Sequence, residues 1–163
     1  MLAGGMMRAA MSRWLDPHSG REVWVVDAAR VADWPEATPW ACPKFCLLFA
    51  AAHVVEVEPL ARRAVEQGLA VASAWGPGCS MMEEEFDEAI VSGAGLETVN
   101  NVVHTTSHPD ESLEEALEFF LDAVSPARDH EVDCRAWVVF PIGKELHDRF
   151  ERALERRNAH RVD

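Results

Sequence analysis

Lysine is nearly missing from this 163-residue chain. Only Lys44 and Lys144 occur, and 28 acidic residues against 15 basic ones give a net charge of −13. A field of that sign repels phosphate backbones, so nucleic acid is excluded as an expected partner, and a basic protein or a small molecule is favoured. Long apolar runs are also missing. None approaches the ~18 residues of a membrane-spanning helix, so no membrane association is expected. The amino-terminal MLAGGMMRAAMSRW lacks the basic-then-apolar order of a signal peptide, and Met6, Met7 and Met11 leave room for a later start codon. Residues 1–20 are therefore expected to be a poorly ordered extension, ahead of a single α/β domain over 21–163. Cysteine is sparse. Cys42-Pro-Lys-Phe-Cys46 is CxxxC and not the CxxC of redox or zinc sites, while Cys46 and Cys134 sit in apolar runs as small buried hydrophobes. A reduced, cytoplasmic protein fits that usage. The glycines form neither GxGxxG nor GxxxxGKS, so no nucleotide motif is present and no cofactor is expected. There is no internal repeat and no low-complexity tract.

What the sequence does contain is an ordinary globular composition, 48% hydrophobic and 26% charged, in a chain long enough to bury about 70% of its unfolded surface. Apolar runs alternate with helical patterns. Lys44–Ala51 reads as a buried strand, and Pro59 and Gly68 bracket a helix over about 59–67. A strand at Leu69–Trp75 precedes a helix with a capping-box signature, Ser80 to Glu83. A strand at about 101–106 precedes a second capping box, Ser112 to Glu115, and the helix LEEALEFFLDAV. Cys134–Phe140 and a helix over about 144–157 close the series, and Arg21–Asp27 supplies an upstream strand. Ala32–Pro43, with three prolines and two tryptophans, reads as a packed loop. The pattern predicts an α/β fold of three layers, a mostly parallel sheet of four to five strands with helices on both faces, Rossmann-like or flavodoxin-like.

Ligands in such sheets bind outside the carboxyl ends of the strands, which selects Ala51–His53, Trp75–Ser80 and His104–Ser112. In the second segment an apolar run ends in Trp75, turns on Gly76-Pro77-Gly78 and sets Cys79 and Ser80 at a helix N-terminus. That position favours a thiolate or an anion held by backbone amides. The plainer account is a strand-to-helix turn with an incidental cysteine. His104 and His108 are candidate bases for Cys79. They also form, with Asp110, the one candidate metal set, although one histidine lies in a strand and the other in a loop, and capping explains Asp110 and Ser112 without a metal. The run Glu83-Glu84-Glu85 with Asp87 reads as a solvated helix face. His53 reads as a surface or packing residue, and the six tryptophans as core.

The strings AWGPGC…EEFDEAIV and TTSHPDESLEEALEFFLDAV resemble those of an uncharacterised bacterial domain-of-unknown-function family, over roughly residues 45–140. The resemblance implies no activity. It marks Trp75, Gly76, Cys79, His108, Asp110, Glu111 and Ser112 as the positions to test first. With no complete catalytic set, the leading reading is a small binding or interaction module of regulatory or immunity-like character. Trp75, Gly76, Gly78, Ser80, Asp110 and Ser112 are its candidate ligand contacts. The first alternative is a hydrolase or transferase with Cys79 as nucleophile and His104 or His108 as base, and the second is a divalent-metal protein using His104, His108 and Asp110. The broad apolar face around Phe119 and Phe120 leaves a homodimer open.

Overall fold

A computed structural model describes residues 10–93 and 103–163. Its seven strands are β1 (Met11–Asp16), β2 (Arg21–Val26), β3 (Lys44–Ala50), β4 (Leu69–Trp75), β5 (His104–His108), β6 (Cys134–Pro141) and β7 (His160–Val162). They form one sheet in the order β5-β4-β3-β6-β2-β1-β7. From β5 across to β2 all neighbours are parallel, whereas β1 runs antiparallel to both β2 and β7. Four helices cover the sheet: α1 (Glu58–Glu66), α2 (Cys79–Gly93), α3 (Leu113–Asp122) and α4 (Lys144–Arg156). None of the described helices is long and apolar enough to cross a membrane.

The centre is β3, whose residues Phe45 to Ala50 have no solvent exposure. Alternation along the strand sends Phe45, Leu47 and Phe49 toward α1 and α2, and Cys46, Leu48 and Ala50 toward α3 and α4. Each fully buried Leu or Phe contributes about 1.5–3 kcal/mol, so a strand that is wholly apolar after Lys44 demands a helix layer on each face. Trp34 and Trp40, from the proline-rich segment before β3, pack on Phe45 at centroid distances of 5.8 and 4.9 Å.

The α/β class holds, but the expected four to five strands become seven and the sheet is mixed. The two unexpected strands are β1 and β7. Strand β1 lies inside the stretch expected to be an extension, of which residues 1–9 fall outside the described residues. Its inward positions are Ser12, Trp14 and Asp16, so the apolar alternation that announces a half-buried strand is broken by two polar residues. Those residues are satisfied from far along the chain. Ser12 donates to Glu151 at 3.1 Å, and Arg157 donates to Asp16 at 2.8 Å. Strand β7 has three residues, two of them exposed, which is too little pattern to read.

Arg157 also holds Asp122 at the end of α3 at 2.8 Å, so one guanidinium ties the first hairpin to the ends of α3 and α4. Burial of Asp16 pushes its pKa upward, but hydrogen bonds from Arg157 and Ser19 outweigh that and hold it below the ordinary carboxylate value. The hydrogen bond from Arg157 likewise lowers Asp122. A carboxylate depressed in the folded state contributes stability that is complete above its unfolded pKa, near 4, and is lost as pH falls through the folded value. Stability measured by urea unfolding should therefore fall on acidification below about pH 4, and fall less steeply when Asp16 and Asp122 are both replaced by Asn.

Candidate functional site

Strand β4 ends at Trp75, whose carbonyl accepts from the Ala51 amide at 3.2 Å. Gly76 follows with φ +111°, and a Cβ there would lie 1.9 Å from the Ala51 carbonyl oxygen. No other residue fits, because the backbones of two adjacent strand ends touch at that point. Gly78, at φ +75°, lies against Val54. The turn then starts α2 at once. The Cys79 amide donates to the Gly76 carbonyl at 3.1 Å, and the Met81 and Met82 amides converge on the Gly78 carbonyl at 3.0 and 3.1 Å.

Ser80 thus lies within the first helical turn and does not cap the helix, so the expected Ser80–Glu83 box does not form. Glu83 and Asp87 instead accept from Thr105 of β5 at 3.3 and 2.7 Å, and Glu85 accepts from the Val57 amide at the start of α1 at 2.9 Å. The acidic run, expected as a solvated face, fastens α2 to two neighbours. The second expected box does form: Glu115 donates its amide to the Ser112 hydroxyl at 3.1 Å, and the Ser112 amide donates to the Glu115 carboxylate at 2.9 Å.

On the adjacent strand His108 pairs in register with Trp75, and Thr106 with Ser73. These four side chains share the sheet face that carries α3, where the His108 ring meets Phe119 edge-on at 5.0 Å. His108 is only 4% exposed, and both ring nitrogens are engaged. Nδ1 lies 2.8 Å from a Glu111 carboxylate oxygen, and Nε2 lies 3.3 Å from the Thr106 hydroxyl, itself 2.8 Å from that of Ser73. The Trp75 indole donates to the Glu111 carbonyl at 2.8 Å. Glu111 therefore clamps both aromatic rings, one through its side chain and one through its backbone.

Between the two strand ends opens a cavity of about 320 Å³, lined by Trp75, Gly76, Pro77, Gly78, Cys79, Ser80, Met81, His108, Pro109 and Glu111. Of the residues singled out in the sequence, Trp75, Gly76, Gly78, Cys79, Ser80, His108 and Glu111 line it together. His104, Asp110 and Ser112 do not. His104 is exposed at the opposite end of β5, about 13 Å along the strand from His108, so the alternative His104–His108–Asp110 metal set does not assemble. Ser112 is used as a helix cap, and Asp110 is an exposed loop residue.

Cys79 and His108 border one cavity from opposite sides of the sheet. Cys79 is 2% exposed and packs with Met82 and Phe86 under α2, whereas His108 lies under α3. Among the described residues no hydrogen bond joins the thiol to the imidazole. Pro77 and Pro109 lie within the strand-end segments selected from the sequence but were not singled out there, and Met81 lies outside those segments. The Thr106–Ser73 support was hidden because only the side-by-side register of β4 and β5 discloses it.

Two measurements test this geometry. Gly76→Ala should lose about 2–4 kcal/mol of unfolding free energy, since strain and a backbone clash coincide, whereas Gly20→Ala, at φ +73° with open space around it, should lose about 1 kcal/mol. Cys79 in the native protein should alkylate at least about tenfold more slowly than in the urea-unfolded chain, because its sulfur is buried. Equal rates would contradict its packing.

No curated protein matches the chain. A family model described as "Domain of unknown function (DUF7684)" matches residues 23–157, most of its length, and the chain belongs to that family.

Proposed function

We propose that this member of the DUF7684 family is a non-catalytic binding module that takes a small organic molecule in the cavity at the carboxyl ends of β4 and β5. The observation that carries the reading is the Trp75–Glu111–His108 clamp. Two aromatic side chains on neighbouring strands are held by one acidic residue at the mouth of a cavity of about 320 Å³. Ligand pockets combine an apolar wall with a few fixed polar groups and span ~300–1,000 Å³. Here Trp75, Pro77, Met81 and Pro109 supply the wall, and Ser80 and Glu111 supply the polar groups, with His108 holding Glu111 in place.

The separation of Cys79 from His108 by the sheet, and the engagement of both His108 nitrogens, favour binding over thiol catalysis. A protein that binds without turnover acts through occupancy, and it is in that sense that we read it as regulatory. Four free cysteines, two of them joined by a thiol–thiol hydrogen bond of 3.5 Å and not by a disulfide, support a reducing, cytoplasmic setting.

The test is a screen of the labelled protein against a library of small aromatic and heterocyclic compounds by amide NMR. Binders should shift the amides of Gly76, Gly78 to Met81, His108, Asp110 and Glu111, and Ser80→Trp, which fills the cavity from an exposed position, should abolish the shifts. Binders that map elsewhere would overturn the proposal. Consumption of a compound that stops in Cys79→Ala would establish the hydrolase or transferase reading in its place.

A further inference from the structure

We infer that His147, Asp148 and Glu151, on the first turns of α4, form a binding site for one divalent transition-metal ion, away from the cavity at β4 and β5. Positions i and i+4 share a helix face, so His147 and Glu151 stand one above the other, and Asp148 flanks them. The His147 Nδ1 lies 3.3 Å from Asp148 Oδ1 and 3.5 Å from Glu151 Oε1, and all three ligand atoms lie within 4.8 Å of one another. Metal–nitrogen and metal–oxygen bonds of about 2.0–2.2 Å place neighbouring ligands roughly 3.0 Å apart in an octahedral shell and roughly 3.5 Å apart in a tetrahedral one. The two spacings from His147 fall in that interval before any ion is added, and the two carboxylates lie within 4.8 Å of each other. Among the described residues this is the one group of three such side chains that converges.

Two further features separate the cluster from an ordinary surface ion pair. The first is the support behind Glu151. Its Oε2 accepts from the Ser12 hydroxyl at 3.1 Å, and Ser12 Oγ accepts from the Trp14 indole at 2.9 Å, both donors being 4% exposed on β1. This chain of buried donors fixes one carboxylate oxygen and turns the other toward His147, which is how outer-shell groups orient metal ligands. The second is the missing counter-charge. Asp16 and Asp122 are paired with Arg157, and Glu114 with Arg149, on the same side of the sheet. Among the described residues, neither Asp148 nor Glu151 pairs with an arginine or lysine, and His147 is the only basic side chain that either meets.

Glu151 is 20% exposed and His147 13%, while Asp148 is 44% exposed, so an ion would enter past Asp148 and keep water on its open side. One imidazole with two carboxylates suits Zn²⁺, Mn²⁺ or Fe²⁺ better than thiolate-seeking Cu⁺.

The experiment uses the full chain, stripped with a chelator and titrated calorimetrically with Zn²⁺ at neutral pH, with Co²⁺ as an optical probe. A single equivalent should bind, and the Co²⁺ complex should show ligand-field bands without a thiolate charge-transfer band. His147→Ala and Asp148→Asn should each abolish binding. Asp148 is exposed, so its variant tests the site even if the His147 variant folds poorly. Ser12→Ala should weaken binding about 10–100-fold without removing the stoichiometry. The absence of saturable binding, a thiolate band, or an undiminished equivalent in Asp148→Asn would overturn the site, leaving His147 as a bridge between two carboxylates.

Discussion

The structure is organised around a strand that cannot touch water. β3 presents phenylalanine, leucine, cysteine and alanine on both faces and buries all of them, so every other element is placed to cover it or to extend the sheet that contains it. Helices α1 and α2 take one face, and α3 and α4 take the other. With the two helical layers committed to that task, polar chemistry is confined to the strand ends and the sheet edges. β5, the outermost strand on one side, reads HTTSH, and the opposite edge is built from a hairpin and β7, which carry arginine, serine and aspartate.

The order β5-β4-β3-β6 reverses direction between β3 and β6, and such a reversal normally opens the ligand crevice of a parallel α/β sheet. Here it is closed. The Ile142 amide donates to the Ala50 carbonyl at 2.8 Å, and the Gly143 amide donates to the Ala28 carbonyl at 2.8 Å, so β6 runs on between its neighbours past the point where they would part. The cavity opens two strands further out, between β4 and β5, where Gly76 brings β4 hard against Ala51 and the chain must turn away into α2. The site is where backbone contact forces a turn, and the switch point itself is sealed.

That displacement also explains which parts were legible in the sequence. The strand–helix alternation from Lys44 to Arg157 follows from local signals: continuous apolar runs, Pro59, Gly68, and the Ser112–Glu115 box. Observed boundaries there lie within two or three residues of the expected ones, the start of the strand expected at about 101 lying outside the described residues. β1 was illegible because its inward residues Ser12 and Asp16 are polar, and what makes their burial tolerable lies 139 and 141 residues away. The candidate site was half legible. Trp75, Cys79 and His108 could be named from the rule about strand ends, but that His108 belongs with Trp75 and not with Cys79 is a fact of register and face. The Ser80 box failed for a local reason of a different kind. Gly78 offers its carbonyl to two amides of the first turn, which starts the helix one residue before the serine that was expected to cap it.

The acidity of the chain takes on a different meaning once these contacts are known. A net charge of −13 suggests a surface awaiting a basic partner, yet many of the carboxylates already have an internal task. Glu85 holds the start of α1, Glu83 and Asp87 hold the edge strand, Asp16 and Asp122 share Arg157, and Glu111 clamps the cavity. Most of these tasks are met by accepting hydrogen bonds from a backbone amide, a hydroxyl and an imidazole, none of which brings a formal positive charge with it in its neutral form, so these carboxylates add to the negative balance without needing a basic side chain. Where two acidic groups converge, one of them fully buried, Arg157 supplies the positive charge. By that same logic the pair Asp148 and Glu151, converging beside buried β1 with only an imidazole between them, is the place on this face where a cation from solution would complete a pattern the rest of the fold completes for itself.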